Sequence, residues 1–148
     1  MKILICGLPG AGKTHLAERL VKHLDNCAWY NADVIRGAAN DWDFSPIGRV
    51  RQANRMRTFA DFEVSNGRWV VCDFVAPTNE TRKQFEPDVT IWIDTINEGR
   101  FEDTNKMFEK PVDVNYHVNG WFNDTHAQLV KVVTNYMLAQ QGKPTERL

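Results

Sequence analysis

The 148-residue chain predicts an α/β fold in which a parallel β-sheet lies between two layers of helices, giving three layers. Short apolar segments typical of buried strands alternate along the chain with segments whose apolar residues recur at helical spacing. This alternation is typical of a parallel sheet covered on both faces, and the length allows one domain, residues 1–148. Right-handed crossovers bring the carboxyl ends of parallel strands to one edge. We therefore expect Gly7, Asn31, Asp73 and Asp94 along a shared ligand-binding edge.

The individual elements are predicted from the apolar pattern and from residues that begin or end helices. Strands are expected at residues 2–6, 27–30, 69–72, 89–93 and, with weaker alternation, 113–118. Helices are expected from about 13, over 34–39, from 46 to near 66, through 82–85, and from 125. Ser45 is the expected cap of the long helix, and Pro46 its first residue. Its predicted inward stripe consists of Ala53, Met56, Ala60 and Val64.

Composition restricts the class of protein. Hydrophobic residues make up 43% and charged residues 25%, as in soluble globular proteins, and no apolar stretch approaches about eighteen residues. No membrane partner is expected, and without a secretory signal pattern the predicted location is cytoplasmic. Cys6, Cys27 and Cys72 are expected to be reduced, packed thiols. A net charge of -1 argues against sequence-independent binding to nucleic acid, although a local basic groove remains open.

The segment GLPGAGKT at residues 7–14 follows the first predicted strand and begins the first predicted helix. It fits G-x-x-x-x-G-K-[ST], the phosphate-binding loop of the P-loop NTPase fold, in which backbone N–H groups surround phosphate oxygens. Lys13 is expected to contact the β- and γ-phosphates, and the Thr14 hydroxyl to bind Mg²⁺. The predicted cofactors are therefore ATP and Mg²⁺. The predicted nucleotide-binding residues are Gly7, Leu8, Pro9, Gly10, Ala11, Gly12, Lys13 and Thr14.

Asp73 follows an apolar strand, the arrangement that holds the magnesium shell in many nucleotide-binding proteins. It could equally orient an acceptor hydroxyl, or simply cap a loop. The chain is short for a switch GTPase and has no N-K-x-D sequence. These features favour a kinase that acts on a small substrate.

The segment after the second strand, residues 30–37, supplies candidates for the acceptor side. Asp33 and Arg36 are three apart, so on one helical turn they project to the same side. Asp33 would accept the proton of the acceptor hydroxyl, while Arg36 would hold an anion on the same molecule. A capping Asp beside a solvated Arg is the simpler alternative.

The order of these motifs resembles the adenylylsulfate kinases, which phosphorylate the 3′-hydroxyl of adenosine 5′-phosphosulfate (APS). That family carries G-x-x-G-[AS]-G-K-[ST], then D-G-D-N-x-R, a G-F-S segment with an arginine, and an apolar strand leading to I-S-P. The resemblance covers roughly the first half of the chain and implies Asp33 as general base and Arg36 with Arg49 as anion-binding groups. The catalytic residues are then Asp33, Lys13 and Arg36. The acceptor-binding residues are Arg36, Arg49, Phe44, Gln52 and Asp73.

Several positions depart from that family's pattern. Its first aspartate is Asn31 here, its I-S-P serine is Ala76, and an asparagine after the Arg49 equivalent is Gln52. Its lysine-rich lid signature is missing. Residues 95–111 are polar without clear periodicity, which predicts a mobile loop or lid there, with Arg100 or Lys106 closing over the phosphates.

A second resemblance is to phage-type polynucleotide kinases, which also place D-x-x-R after their second strand. Asp73 with the stretch from Thr78 to Arg82 is similar to their strand-end aspartate and T-N…R segment. This resemblance implies an acceptor hydroxyl on nucleic acid, either a polynucleotide 5′-hydroxyl or a hydroxymethylated base in DNA. The groups in contact would be Arg49, Arg51, Arg55 and Arg57, with Trp42, Phe44 or Trp121 as stacking platforms. The alternative is a solvated helix face with core aromatics.

The sequence thus predicts an ATP-dependent phosphotransferase with an alcohol acceptor. The favoured acceptor is a small nucleotide-like molecule, adenylylsulfate first, with a hydroxyl on nucleic acid second. A nucleotide-binding regulatory protein without turnover is the third hypothesis. The sequence leaves open whether the chain is a monomer or a homodimer.

Overall fold

A computed structural model describes residues 1–96, 98–99, 102–120, 125–140 and 142. The strands within these residues form one parallel sheet in the order β2-β3-β1-β4-β5. They are β1 Lys2–Cys6, β2 Cys27–Asn31, β3 Trp69–Asp73, β4 Val89–Ile93 and β5 Tyr116–Val118. The helices are α1 Lys13–Lys22, α2 Ala32–Ala39, α3 Pro46–Ser65, α4 Asn79–Phe85, α5 Glu102–Met107 and α6 Thr125–Gln140. The predicted α/β class is therefore confirmed.

The core has two parts, one on each face of the sheet. Because side chains alternate along a strand, Ile3 and Ile5 of β1 pack with apolar residues of α1 and α6. Leu4 and Cys6 face the other way and pack with residues of α3 and with Phe85 of α4. The sheet therefore lies between two helical layers, as predicted. Within the described residues, no helix is both long enough and apolar enough to span a membrane.

Residues that cap helices correctly predicted both ends of α3. The Ser45 hydroxyl accepts a hydrogen bond from the Gly48 N–H, with Pro46 as the first helical residue of α3. Gly67 follows this helix with a φ of 73°, a left-handed conformation that suits glycine. The three cysteines are free thiols, as expected.

Two expectations about helices need correction. Val64 does not belong to the inward face of α3, because its side chain is 39% exposed whereas Glu63 is 5% exposed. The buried stripe of α3 also includes Arg49 and Gln52, so its centre lies away from Val64, and an apolar pattern could not reveal this. The polar segment 95–111 is also more than a loop, since it contains α5.

Candidate active site

The phosphate-binding loop connects β1 to α1. Gly7, Gly10 and Gly12 have φ angles of 151°, 88° and 107°, a region that residues with a Cβ rarely adopt. A Cβ on Gly7 would also overlap the carbonyl oxygen of Ile93. The Lys13 ammonium donates a hydrogen bond to the Leu8 carbonyl at 3.0 Å. The loop therefore curves around the amino end of α1, where N–H groups favour an anion.

Thr14 and Asp73 are in direct contact beside this loop. The Thr14 hydroxyl donates to Asp73 Oδ2 at 2.9 Å. Asn31 Nδ2 donates to the same carboxylate oxygen at 3.0 Å, and the Trp29 indole N–H donates to Asp73 Oδ1 at 2.7 Å. Burial raises the pKa of Asp73, and the hydrogen bonds from Trp29, Thr14 and Asn31 oppose this shift.

The chemistry of this pair fits a magnesium ion. A hydroxyl and a carboxylate are hard oxygen donors, and Mg²⁺ is usually held by one or two such protein ligands together with substrate phosphates and water. Within the described part of the chain, no group of three or more His, Cys, Asp or Glu side chains forms a separate metal site. Thr14 and Asp73 are therefore the residues that would hold the ion next to a bound nucleotide.

Sequence reasoning did not find the roles of Trp29 and Asn31. Trp29 packs against the core residues beside α1. Its indole N–H also fixes one oxygen of Asp73, a contact across 44 positions of the chain. Side chains alternate along a strand, so residues 29 and 31 lie on one face of β2. This shared face was the sequence feature that could have indicated a common role.

Lys13 is the cation of the phosphate-binding loop. Burial lowers its pKa to about 8, while the nearby carboxylates of Asp73 and Asp33 oppose the shift. An ammonium with little water around it interacts strongly with an incoming phosphate group.

Asp33 and Arg36 lie on α2, and both line a cavity next to the phosphate-binding loop. Asp33 is exposed, whereas Arg36 is 3% exposed. The Arg36 guanidinium donates to the backbone carbonyls of Asp41, at 2.9 Å, and Asp43, at 3.3 Å. Its position is therefore fixed by the loop between α2 and α3.

Arg49 of α3 lines the same cavity and is 9% exposed. Its Nη2 donates to the Thr104 hydroxyl at 2.6 Å, and its buried Nε lacks a hydrogen-bond partner among the described residues. Burial lowers the pKa of Arg49 to about 10, and the positive charge of Arg36 adds to this effect. Within those residues, no carboxylate forms an ion pair with Arg36 or Arg49.

The Phe44 ring lies beside both arginines. Its centroid is 4.5 Å from the Arg36 guanidinium carbon and 4.9 Å from that of Arg49. The ring is 48% exposed, and Trp42, its neighbour at a centroid distance of 6.5 Å, is 52% exposed. Both aromatic side chains line the cavity.

Gln52 and Ala76 lie on the cavity wall at positions that depart from the adenylylsulfate kinase pattern. The Gln52 amide donates to the Ala32 carbonyl at 3.2 Å and accepts from Arg55 at 2.6 Å. This arrangement fixes the start of α2 as well as lining the cavity. Ala76, three residues after the end of β3, has a φ of 44°, an unusual value for a residue with a Cβ.

The predicted lid is only partly described. Arg100 lies outside the described residues. Lys106 of α5 is exposed and forms an ion pair with Glu102 at 3.3 Å, while Asp103 and Thr104 of the same helix line the cavity. α5 thus reaches the cavity through Asp103 and Thr104, whereas Lys106 is not among the residues that line it.

The arginines proposed for nucleic acid are mostly engaged with carboxylates. Arg51 pairs with Asp41 and Asp43, and Arg55 pairs with Asp41. Arg57 contacts Asp61 at 3.4 Å and Glu86 at 3.3 Å. This face of α3 is therefore closer to the solvated, ion-paired alternative than to a free phosphate-binding patch. Trp121 lies outside the described residues.

Together these groups enclose a cavity of about 870 Å³ at the carboxyl edge of the sheet. Pro9, Gly10, Gly12, Lys13 and Thr14 line it, while Gly7, Leu8 and Ala11 are buried and are not among the lining residues. Of the predicted strand-end residues, Asn31 and Asp73 reach the cavity. Asp94 instead contacts His117, with 2.8 Å between Oδ2 and Nε2.

The parallel sheet, the glycine-rich loop and the Thr14–Asp73 pair define a protein with the P-loop NTPase fold. The model of a family described as an AAA domain matches residues 3–138. The chain belongs to this family. A search of curated proteins finds no match.

Solved structures with this fold include several kinases. The APS kinase of Mycobacterium tuberculosis in complex with AMPPNP and APS has a TM-score of 0.76 at 16% identity, covering 92% of this chain and 96% of that one. A sugar kinase from Janibacter has a TM-score of 0.70 at 14% identity, covering 97% of this chain and 98% of that one. Shikimate kinase from Acinetobacter baumannii in complex with shikimate has a TM-score of 0.59 at 15% identity, covering 96% of this chain and 95% of that one. The fold resemblance to adenylylsulfate kinases is thus confirmed.

Proposed function

We propose that the protein is a Mg²⁺- and ATP-dependent kinase that phosphorylates a hydroxyl of a small anionic, nucleotide-like acceptor. The observation that carries this proposal is the composition of one cavity. Lys13, Thr14 and Asp73 line it together with Asp33, Arg36 and Arg49. Groups suited to a triphosphate and groups suited to an acceptor therefore share one space.

Each residue has a physical role in this proposal. Lys13 neutralises the transferred phosphoryl oxygens, and Thr14 and Asp73 hold the ion that supplies further positive charge there. Asp33 orients the acceptor hydroxyl and receives its proton. Arg36 and Arg49 bind the acceptor's anion, because buried guanidiniums that form no ion pair with a carboxylate among the described residues gain most from a negative ligand.

Adenylylsulfate is the first acceptor to test. The sequence resemblance favours it, and a solved neighbour binds APS with an ATP analogue. The Phe44 ring between the two arginines suits an acceptor that carries both a flat ring and an anion. The sugar kinase and shikimate kinase neighbours make other small alcohols necessary comparisons.

A hydroxyl on nucleic acid is the second candidate. The half-exposed Trp42 and Phe44 at the cavity favour it, because a base on a longer strand could stack there while the strand remains outside. The ion-paired Arg51, Arg55 and Arg57 weigh against it, since they are already neutralised by carboxylates. DNA is therefore an acceptor in the same assay.

The test is transfer of label from γ-labelled ATP with Mg²⁺ to APS, small alcohols or DNA carrying a 5′-hydroxyl or hydroxymethylated bases. Lys13→Ala provides the blank. Asp33→Asn should abolish transfer while ATP binding persists, and Asp25→Asn, at another exposed carboxylate, should leave transfer unchanged. Binding of ATP with transfer to none of these acceptors would contradict the kinase proposal and favour the regulatory protein.

A further inference from the structure

We propose that Asn31 is a positioning residue that links the metal-binding pair Thr14 and Asp73 to the start of α2, which carries Asp33 and Arg36. This inference rests on the proposed function for its effect on catalysis. Its effect on nucleotide binding can be measured independently of turnover.

The Asn31 amide makes contacts in two directions. Nδ2 donates to Thr14 Oγ1 at 3.2 Å and to Asp73 Oδ2 at 3.0 Å. Oδ1 accepts from the Val34 N–H at 3.1 Å and so caps α2. One amide therefore uses its donor on the metal-binding pair and its acceptor on the helix.

The sheet register explains why this residue can reach both. Asn31 is the last residue of β2 and lies opposite Asp73, the last residue of β3, in the parallel pairing. Trp29, two positions earlier on the same face, donates to the other oxygen of Asp73 at 2.7 Å. Both carboxylate oxygens are thus held from β2, and rotation of the carboxylate would break these bonds.

The same residue determines where the acceptor helix begins. Asp33 lies two residues beyond Asn31, in the first turn of α2, and Arg36 lies one turn further on. Without the amide donor, the metal-binding pair and the first turn of α2 would keep their separate supports but lose their direct link. The placement of Asp33 relative to the phosphate-binding loop would then be less restricted, and this placement governs phosphoryl transfer.

Asn31→Ser separates this role from simple capping. Serine is a good N-cap, so the helix start is retained, but serine lacks the amide that donates to Asp73. Asn31→Ala removes both functions. Thr78→Ala, which removes the cap of α4 away from the metal-binding pair, is the matched control for a lost cap.

The first measurement is the affinity for a non-hydrolysable ATP analogue, by calorimetry with and without Mg²⁺, together with thermal unfolding. We expect Asn31→Ser to unfold near the wild-type temperature. The factor by which Mg²⁺ increases its nucleotide affinity should be about tenfold smaller than in the wild type, as for the loss of a hydrogen bond to a charged group. Asn31→Ala should show the same reduction in the effect of Mg²⁺ on nucleotide affinity, and its unfolding temperature should also be about 3 °C lower. Thr78→Ala should lower only the unfolding temperature. Wild-type Mg²⁺ dependence in Asn31→Ser would overturn the proposal, because Asn31 would then be a cap only.

The second measurement is turnover with the acceptor that the labelled-ATP assay identifies. Asn31→Ser should lower kcat about tenfold with a smaller change in acceptor KM, since the anion-binding arginines remain. A normal kcat would contradict the link to α2. If the wild type phosphorylates no acceptor, the proposed function fails, and the nucleotide measurement still decides the role of Asn31 at the metal-binding pair.

Discussion

Binding of a nucleotide should be accompanied by proton uptake at Lys13. Burial lowers the pKa of this ammonium to about 8, so in the free protein about half of it is neutral at pH 8. A bound triphosphate restores the charged form, because the phosphate oxygens favour the ammonium. Uptake should therefore be about 0.1 proton per nucleotide at pH 7, about 0.5 at pH 8 and about 0.9 at pH 9.

Calorimetry with a non-hydrolysable ATP analogue measures this uptake directly. The observed binding enthalpy is compared in buffers of different ionisation enthalpy, and the difference gives the number of protons exchanged. The analogue's phosphates are already ionised at pH 8 and above, so they contribute little. Equal uptake in Lys13→Ala and wild type, or no uptake in the wild type between pH 8 and 9, would refute this assignment.

The same pKa predicts the direction of a change in stability. A lysine ordinarily titrates near 10.5, so between pH 8 and 10.5 the unfolded chain binds more protons at Lys13 than the folded chain. The free energy of unfolding therefore rises with pH through this window, relative to Lys13→Ala. Urea unfolding of the nucleotide-free wild type and variant across these pH values measures the difference.

The remaining predictions concern the acceptor side and the core. Arg49→Met should raise the acceptor KM about 30-fold or more without lowering the unfolding temperature, because it removes a buried charge with no carboxylate partner among the described residues. Arg51→Met is the control for KM, and an unchanged KM in Arg49→Met would contradict the anion site. Gly48→Ala should destabilise the fold by about 1–3 kcal/mol in thermal unfolding, since its Cβ would overlap the Asp43 carbonyl, whereas wild-type stability would show that this loop adjusts. Phe85→Ala removes a fully buried side chain and should lower the free energy of unfolding in urea by about 3–5 kcal/mol. Its nucleotide affinity, measured well below the unfolding transition, should not change.

The sequence predicted best those features that depend on residues close together in the chain. The phosphate-binding loop was identifiable because its glycines, Lys13 and Thr14 act within eight residues. Ser45 and Pro46 likewise marked the start of α3 through local backbone chemistry. Helical spacing predicted that Asp33 and Arg36 project to the same side, and both line the cavity.

The features that were not predicted depend on contacts between distant parts of the chain. Glu63 is buried because Tyr30 donates to it at 2.9 Å and Arg68 at 2.8 Å, and an apolar pattern contains no information about such partners. Arg51 was a plausible phosphate ligand until the structure placed Asp41 next to it. Trp29 similarly gains its polar role only when β2 lies beside β3.

The contrast between two sets of arginines supports the anion-binding site proposed above. Arg51 and Arg55 lie near the surface, and their charge is balanced by carboxylates within the fold. Arg36 and Arg49 are more buried, and their hydrogen bonds within the described residues go to carbonyl and hydroxyl oxygens. Carboxylates near Arg36 oppose the lowering of its pKa by burial, whereas the pKa of Arg49 is lowered by burial and by the charge of Arg36. Burying a positive charge without an ion pair opposes folding, so Arg49 in particular is expected where a ligand brings negative charge. The charge distribution thus favours an anionic acceptor independently of any resemblance to known kinases.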